Sequence, residues 1–255
     1  MKLRCILLIL LFTISAAGCI RNRDQENIKS AANTVDEDKA ITSVKYNKDG
    51  IEGEYPKLIA GGTQEELDSW NRLIYDDFDK ILQIYSFNPF PELPNNKIPT
   101  ILKIKYEVKL NSKNFISIMY TASYNSPYSA HPTQLVYTTN IDKGNNKRLQ
   151  LSDIIEINED FIKNFRTWER VNVEGNTEEI NKAIQDYMAD LYMEDLLLGF
   201  KSADIIGYGN LWGIYSYLTP DSLGISVGVP NYIGDHVEFE RKYTQIEEFL
   251  KLKIK

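Results

Sequence analysis

The pattern in this chain that comes nearest to a catalytic motif is Gly-x-Ser-x-Gly at residues 224–228. In serine hydrolases this spacing places a nucleophilic serine on a sharp turn between a strand and a helix. Asp235 and His236 follow in a suitable chain order, but adjacent residues are poorly placed for the carboxylate to orient the imidazole. Residues 223–229 also alternate between apolar and small side chains, as in a plain strand. We therefore expect a strand whose small face packs closely against a neighbour.

The chain contains only two histidines, His131 and His236, and so offers few ligands for a catalytic metal. Zinc enzymes commonly use two histidines at His-x-x-x-His spacing, which is absent here. We expect neither a metal nor another cofactor. A glycan hydrolase would need two carboxylates facing each other across a cleft, and sequence spacing does not identify such a pair among the 36 acidic residues.

Three residues near one predicted loop are the candidates for ligand or partner binding: Tyr124, Tyr128 and His131. Tyrosine rings stack on sugars and anchor protein interfaces, and a histidine adds a hydrogen-bonding group. The alternative interpretation is structural. Tyrosines are common in half-buried strands, and a loop histidine can simply bond a backbone carbonyl.

The first 19 residues have the order of a bacterial lipoprotein signal. Two basic residues precede the apolar residues 6–14, and small residues lead to Cys19. The apolar run is shorter than the roughly 20 residues that a membrane-spanning helix needs. We predict a signal peptide over 1–18 and acylation of Cys19, so that lipid anchors the chain outside the cytoplasm, on the bacterial cell membrane.

Two alternatives stay open for this segment. One is an uncleaved N-terminal anchor. The other is ordinary cleavage without lipid, because Ala16 stands where a lipobox most often has leucine. In either case Cys5 and Cys19 are the only cysteines, so a disulfide framework is not expected.

Charge restricts the expected partners. The whole chain carries −7, and loss of Lys2 and Arg4 with the signal peptide brings the mature chain to −9. Such a chain does not neutralise phosphates, so we expect no nucleic acid, and it favours encounter with a basic protein. Residues 19–40 are polar and lack aromatic side chains, which predicts a flexible tether.

The rest of the chain has the periodicity of an α+β fold. Thr63 and Glu66 form a capping-box pattern, followed by an apolar stripe at helical spacing that ends at Tyr85. Residues 102–110 alternate between apolar and charged side chains, which is typical of a one-sided antiparallel strand. Two further runs, 116–124 and 135–141, extend this strand into a meander. The helix aspartates, Asp77 among them, are expected on the wet face.

The second half has more helix. Asn158 and Thr177 are candidate N-caps, and Thr244 with Glu247 predicts a last helix. Three strands are expected at 212–218, 223–229 and 236–241. We predict antiparallel sheets with helices packed on one side, arranged as an N-terminal subdomain over 41–145 and a C-terminal subdomain over 146–255.

Several short motifs are spread over residues 41–250. They are Glu54-Tyr55-Pro56-Lys57-Leu58, Ser129-Ala130-His131-Pro132, Tyr137-Thr138-Thr139-Asn140-Ile141-Asp142, Arg148-Leu149-Gln150-Leu151-Ser152-Asp153-Ile154, Leu218-Thr219-Pro220-Asp221-Ser222-Leu223 and Gly234-Asp235-His236-Val237-Glu238-Phe239. Together they resemble the PdaC/RsiV-like extracellular domain of bacteria, with a PdaC-like first half and an RsiV-like second half. Where that family usually has Gly-Gly-Ala-His, Tyr128 and Ser129 replace the two glycines.

The resemblance implies a binding role at the cell envelope. Domains of this family occur beside polysaccharide deacetylase domains and as the outer part of an anti-sigma factor that binds lysozyme. We therefore expect a non-catalytic binding domain whose ligand is a basic lysozyme-like protein or the peptidoglycan of the cell wall. The alternative is a cell-envelope glycan hydrolase or esterase whose site the sequence does not reveal.

Overall fold

A computed structural model of the protein describes residues 40–85, 99–125, 130–171 and 178–254. The predicted signal peptide, Cys19 and nearly all of the predicted tether lie outside the described residues, as do Tyr128 and Thr177. The described residues belong to one compact unit, Val35–Lys255. The division of this part at residue 146 stays a prediction.

Six strands form the first sheet in simple chain order. They are β1 (Ile41–Lys48), β2 (Ile51–Leu58), β3 (Leu102–Asn111), β4 (Phe115–Tyr124), β5 (Thr133–Asp142) and β6 (Lys147–Leu149). Four of the five strand pairs are antiparallel, and β2 pairs with β3 in parallel through Ile51 and Leu102. The predicted meander of β3, β4 and β5 is confirmed.

Helix α1 (Gln64–Ile84) packs on this sheet. Its N-terminus has the predicted capping box: the Thr63 hydroxyl accepts from the Glu66 backbone N–H, and the Glu66 carboxylate accepts from the Thr63 N–H. The apolar stripe is buried from Leu67 to Leu82. A local pattern of polar caps and spaced apolar residues is therefore sufficient to account for the helix.

Four antiparallel strands form the second sheet, in the order β7-β10-β9-β8. They are β7 (Glu169–Val171), β8 (Tyr215–Leu218), β9 (Ser222–Gly228) and β10 (His236–Lys242). Its helices are α2 (Leu151–Ile154), α3 (Glu159–Phe165), α4 (Glu178–Asp190) and α5 (Met193–Lys201). The predicted cap of α3 is confirmed, since the Asn158 side chain accepts from the Phe161 N–H.

The predicted last helix is wrong. The chain forms two single 3₁₀ turns instead, Tyr243–Gln245 and Glu247–Phe249. The backbone after Thr244 is already bonded elsewhere: the Phe249 carbonyl accepts from the Glu156 N–H at 2.7 Å, and the Lys251 N–H donates to the Ile154 carbonyl at 2.8 Å. A continuous helix would have to give up these long-range bonds.

The two sheets each have helices on one side, and β8 contacts β3, β4 and β5 across the other. One hydrophobic core joins α1 to the first sheet and includes Phe78, Tyr120 and, from the second sheet, Tyr217. The other joins the second sheet to its helices through residues such as Phe165 and Phe239, whose rings lie 5.2 Å apart. The predicted α+β fold is confirmed.

Between the sheets lies a buried polar network centred on Asp204. Its carboxylate accepts hydrogen bonds from the backbone and hydroxyl of Ser216 in β8, from the Thr138 hydroxyl in β5, and from the Leu151 N–H at the start of α2. Asp204 is 6 % exposed. A buried carboxylate with these donors links three elements that are distant in sequence.

A second part of the same network lies beside it. The Ser117 hydroxyl donates to the Asn140 side chain at 2.7 Å and accepts from the Leu218 N–H at 2.9 Å. The Asn140 amide donates to the Ser216 carbonyl at 2.8 Å. Strands β4 and β5 are thereby joined to β8 through side chains, without a shared β-ladder.

Asp77 is buried, contrary to the prediction of a wet face for the helix aspartates. It is 1 % exposed, and its carboxylate accepts from the Arg148 Nε at 2.6 Å and from the Thr139 hydroxyl at 2.9 Å. Lys80 Nζ lies 3.3 Å away. Ion pairing and hydrogen bonding offset the desolvation of the carboxylate, so Asp77 joins α1 to β5 and β6.

Replacing Arg148 with alanine should lower the free energy of unfolding by about 2–3 kcal/mol, because Asp77 would stay buried with only the more exposed Lys80 as its cation. Urea unfolding followed by circular dichroism measures the loss. Lys182→Ala is the matched control, since it removes an exposed ion pair with Asp186 that is worth about 0.5 kcal/mol or less. Equal losses in the two variants would contradict the role of Arg148.

Burial raises the pKa of Asp204 to about 6, although hydrogen bonds from Ser216, Leu151 and Thr138 oppose the shift. The folded state therefore binds the proton more tightly than the unfolded state. Stability from this group is complete below about pH 4 and is lost as pH rises through about 6.

Wild type should accordingly lose about 3 kcal/mol of unfolding free energy relative to Asp204→Asn between about pH 4 and about pH 7, because asparagine does not titrate. Urea unfolding of both proteins across this range gives the difference. A difference that is independent of pH would contradict the raised pKa.

Candidate functional site

The Gly-x-Ser-x-Gly segment lies within β9 and forms no nucleophile elbow. Ser226 is fully buried, and its hydroxyl has no hydrogen-bond partner within the described residues. Asp235 is bonded to the Gln134 N–H and to the Asn231 amide, and no hydrogen bond links it to the His236 imidazole in that part of the chain. The arrangement lacks the geometry of a serine hydrolase triad.

The predicted close packing of the small face of β9 is confirmed. A Cβ atom on Gly224 would lie 2.1 Å from the ring of Tyr217, and one on Gly228 would lie 2.7 Å from the Trp212 carbonyl oxygen. Glycine is therefore required here by space.

An open cleft of about 380 Å³ lies where β5 of the first sheet meets the second sheet. We call it the aromatic cleft. Residues 134–137 of β5 form one wall. Tyr215, Gly228 and His236 of the second sheet, with Asp235 in the turn before β10, form the other, and Ile84 with the loop before β8 forms the rim.

The cleft lies along the part of β5 that does not pair with β6. Strand β6 pairs only with Asn140, Ile141 and Asp142 of β5, so the part of β5 near Tyr137 is at the edge of the sheet. The ring of Tyr215 lies 5.3 Å from that of Tyr137 at this edge. The end of β6 therefore leaves room for the cleft.

Tyrosines line the floor of the cleft and continue beyond it. The Tyr137 hydroxyl is 2.8 Å from that of Tyr85, and the Tyr85 ring is 4.9 Å from that of Tyr124. Burial raises the pKa of Tyr137 to about 12 and also raises the pKa of Tyr215. These hydroxyls are therefore neutral at physiological pH, and both are bonded within the protein, Tyr137 to Tyr85 and Tyr215 to the Ile205 carbonyl.

The rim carries large apolar side chains in contact with solvent. Tyr208 is fully exposed, Leu211 is 73 % exposed and Ile84 is 39 % exposed. Asn210 fixes the loop that carries Tyr208 and Leu211, because its side chain bonds both the N–H and the carbonyl of Ile214. Exposed apolar groups on a fixed base are typical of a binding surface.

His236 supplies an imidazole to the wall of the cleft. Its Nδ1 is buried and has no hydrogen-bond partner within the described ranges, and its Nε2 lies 3.8 Å from a Glu238 oxygen. Asp235, in the left-handed region with φ 67°, joins the two walls by accepting from the Gln134 N–H at 2.8 Å. The cleft thus offers one exposed tyrosine ring, aliphatic anchors and one imidazole.

Of the residues predicted to bind a ligand, Tyr124 is half-buried against Tyr85 and lies next to the aromatic cleft without lining it. His131 is exposed in the loop between β4 and β5, and no hydrogen bond joins its side chain to the part of the chain that the structure describes. Tyr128 lies outside that part. Their binding role stays a prediction.

The sequence analysis did not identify Tyr208, Leu211 and the imidazole of His236 as neighbours in one cleft. The available signal was the segment Tyr208-Gly209-Asn210-Leu211-Trp212-Gly213, where large apolar residues alternate with turn formers between a helix and a strand.

Within the described ranges, no group of three or more His, Cys, Asp or Glu side chains is placed to hold a metal ion. No helix in that same part of the chain is both long and apolar enough to cross a bilayer.

Two solved structures of DUF3298 family proteins, a bacterial family of unknown function, are similar to this chain. One is from Pseudomonas aeruginosa, is 11% identical, covers 84% of this chain and 96% of that chain, and has a TM-score of 0.47. The other is from Bacteroides fragilis, is 15% identical, covers 84% and 94%, and has a TM-score of 0.45. No family model and no curated protein matches the chain.

Replacing Ser226 with alanine should leave the free energy of unfolding unchanged or raise it by about 1 kcal/mol, because an unbonded buried hydroxyl is removed. Ser117→Ala is the matched comparison. It should lower the unfolding free energy by about 1–3 kcal/mol, since Asn140 and the Leu218 N–H each lose a partner. Thermal or urea unfolding measures both changes. If Ser226→Ala lost more unfolding free energy than Ser117→Ala, the Ser226 hydroxyl would not be an unbonded buried group.

Proposed function

We propose that this chain is a non-catalytic binding domain of the bacterial cell envelope and that the aromatic cleft is its binding surface. The proposal includes secretion through the signal at 1–18 and attachment to the membrane through acylated Cys19. The observation that carries it is the exposure of Tyr208 and Leu211 beside a concave tyrosine floor. Aromatic anchors around a pocket are the usual centre of a binding interface.

The partner that we favour is a basic, lysozyme-like protein. The mature chain would carry −9, which attracts a basic partner and speeds the encounter. Leu211 and Ile84 add aliphatic surface to the rim, and such surface suits burial against protein side chains. Affinity would come from the apolar anchors and association rate from charge.

Peptidoglycan is the second candidate, and a different observation favours it. The fully exposed Tyr208 on the rim offers a ring face to a sugar, Tyr137 and Tyr215 pack edge to face below it, and the half-buried His236 adds an imidazole to the wall. Sugar rings are bound in this way, by stacking combined with a few hydrogen bonds.

Tyr208→Ala should weaken binding of the full chain to a basic lysozyme about tenfold or more, because a fully exposed anchor is lost from the cleft. Isothermal titration calorimetry measures the affinity. Tyr192→Ala is the matched control, since Tyr192 is 78 % exposed and lies outside the cleft. Raising salt from about 50 to about 200 mM should mainly slow association.

Absence of binding to lysozyme at both salt concentrations would exclude this partner, and the test then moves to purified peptidoglycan. Retention there should depend on Tyr208 and be unaffected by Tyr192→Ala. Equal binding by Tyr208→Ala and Tyr192→Ala would exclude the aromatic cleft as the binding surface. Release of acetate or reducing ends from the peptidoglycan would contradict a non-catalytic role.

A further inference from the structure

A second cavity, of about 690 Å³, lies at the opposite edge of the second sheet from the aromatic cleft. It is bounded by the turn between α3 and β7, by one face of α4 and by Phe239 of β10. We call it the arginine cavity because Arg166 and Arg170 line it. Its apolar surface includes Phe165, Ile184 and Met188.

Arg170 is the central polar group of this cavity. Its Nη1 donates to the Asn181 side chain at 2.8 Å, while its Nε is buried and lacks a hydrogen-bond partner among the described residues. No carboxylate in those residues forms an ion pair with it. Partial burial of the guanidinium lowers the pKa of Arg170. A cation that has lost part of its hydration without gaining a counter-charge favours an anion nearby.

Two further guanidinium groups lie around the same cavity. Arg166 donates to the Leu191 carbonyl at 2.7 Å. Arg241 shares a face of β10 with Phe239, two residues along, and donates to the Thr167 hydroxyl of the cavity wall at 2.7 Å. Neither forms an ion pair within the part of the chain that the structure describes, in contrast to Arg148, which pairs with Asp77.

The local charge therefore opposes that of the whole protein. The chain has 36 acidic against 29 basic residues, yet two guanidinium groups line this cavity and a third, that of Arg241, is bonded to its wall. Glu169 is the one acidic residue among those that line it, and it is exposed. Register places Glu169 on the opposite face of β7 from Arg170, since neighbouring residues in a strand alternate.

We propose that the arginine cavity binds an organic carboxylate whose charged group pairs with Arg170 and whose apolar part lies against Met188 and Phe239. The planar guanidinium suits a carboxylate, and Arg166 and Arg241 strengthen the positive field. The apolar floor selects a molecule with a hydrophobic body over a bare inorganic anion. The volume accommodates a ligand of drug-like size. This site is separate from the aromatic cleft, and the proposal does not rest on the function assigned to that cleft.

The test is calorimetric titration of the full chain with three probes: 4-phenylbutyrate, its uncharged amide and inorganic phosphate. The carboxylate should bind about tenfold or more tightly than either of the others. Arg170→Gln should weaken carboxylate binding by a similar factor. Arg72→Gln, which removes the same charge from an exposed position on α1, should leave it unchanged.

Arg166→Gln is the second variant and should weaken binding severalfold, with thermal unfolding confirming that each variant is folded. Equal affinity for the acid and the amide would overturn the role of Arg170. Phosphate binding as tight as that of the carboxylate would overturn the role of the apolar floor. Failure of all three probes to bind at about 10 mM would overturn the site itself. Lysozyme binding by Arg170→Gln is measured in parallel. It shows whether the aromatic cleft still binds its partner when the arginine cavity binds no carboxylate.

Discussion

The stacking of the two sheets depends on one buried carboxylate. Asp204 accepts hydrogen bonds from β5, from β8 and from the first N–H of α2, so elements from both sheets share a single acceptor group. Ser117 and Asn140 extend the contact to β4. Because the sheets share no β-ladder within the described residues, this polar layer determines how they face each other. Directional bonds specify a relative position that apolar packing alone would leave less restricted.

The aromatic cleft is a consequence of that stacking. One wall belongs to β5 and the other to β8, β9 and β10, so the distance between the walls is set by the contacts around Asp204 and by the bond from Gln134 to Asp235. At the far edge of the second sheet, the arginine cavity is formed by β7, β10 and α4 and depends on the other hydrophobic core. A substitution in one of the two cavities therefore leaves the contacts that form the other in place.

Local patterns predicted the elements that local chemistry controls. The capping box at Thr63, the Asn158 cap and the alternation of β3 were each confirmed, because their stabilising groups lie within a few residues. The hairpin of β1 and β2 was missed, although Asp49 and Gly50, with φ of 53° and 77°, are the residues that a tight hairpin turn prefers. The last helix was wrong because its backbone bonds to residues 154–156, about 90 positions away in sequence.

Sequence alone determined the α+β class, most helix and strand positions and the packing of the small face of β9, since these follow from the period and size of neighbouring side chains. Tertiary structure decided which polar groups are buried and which tyrosines meet. Asp77 lies on the polar side of its helix pattern, yet it is buried because Arg148 and Thr139 reach it from distant strands. Tyr208, Leu211 and His236 likewise lie opposite residues 134–137 of β5 only because the sheets stack. These contacts join residues that are distant in sequence, so the periodicity of the sequence does not predict them.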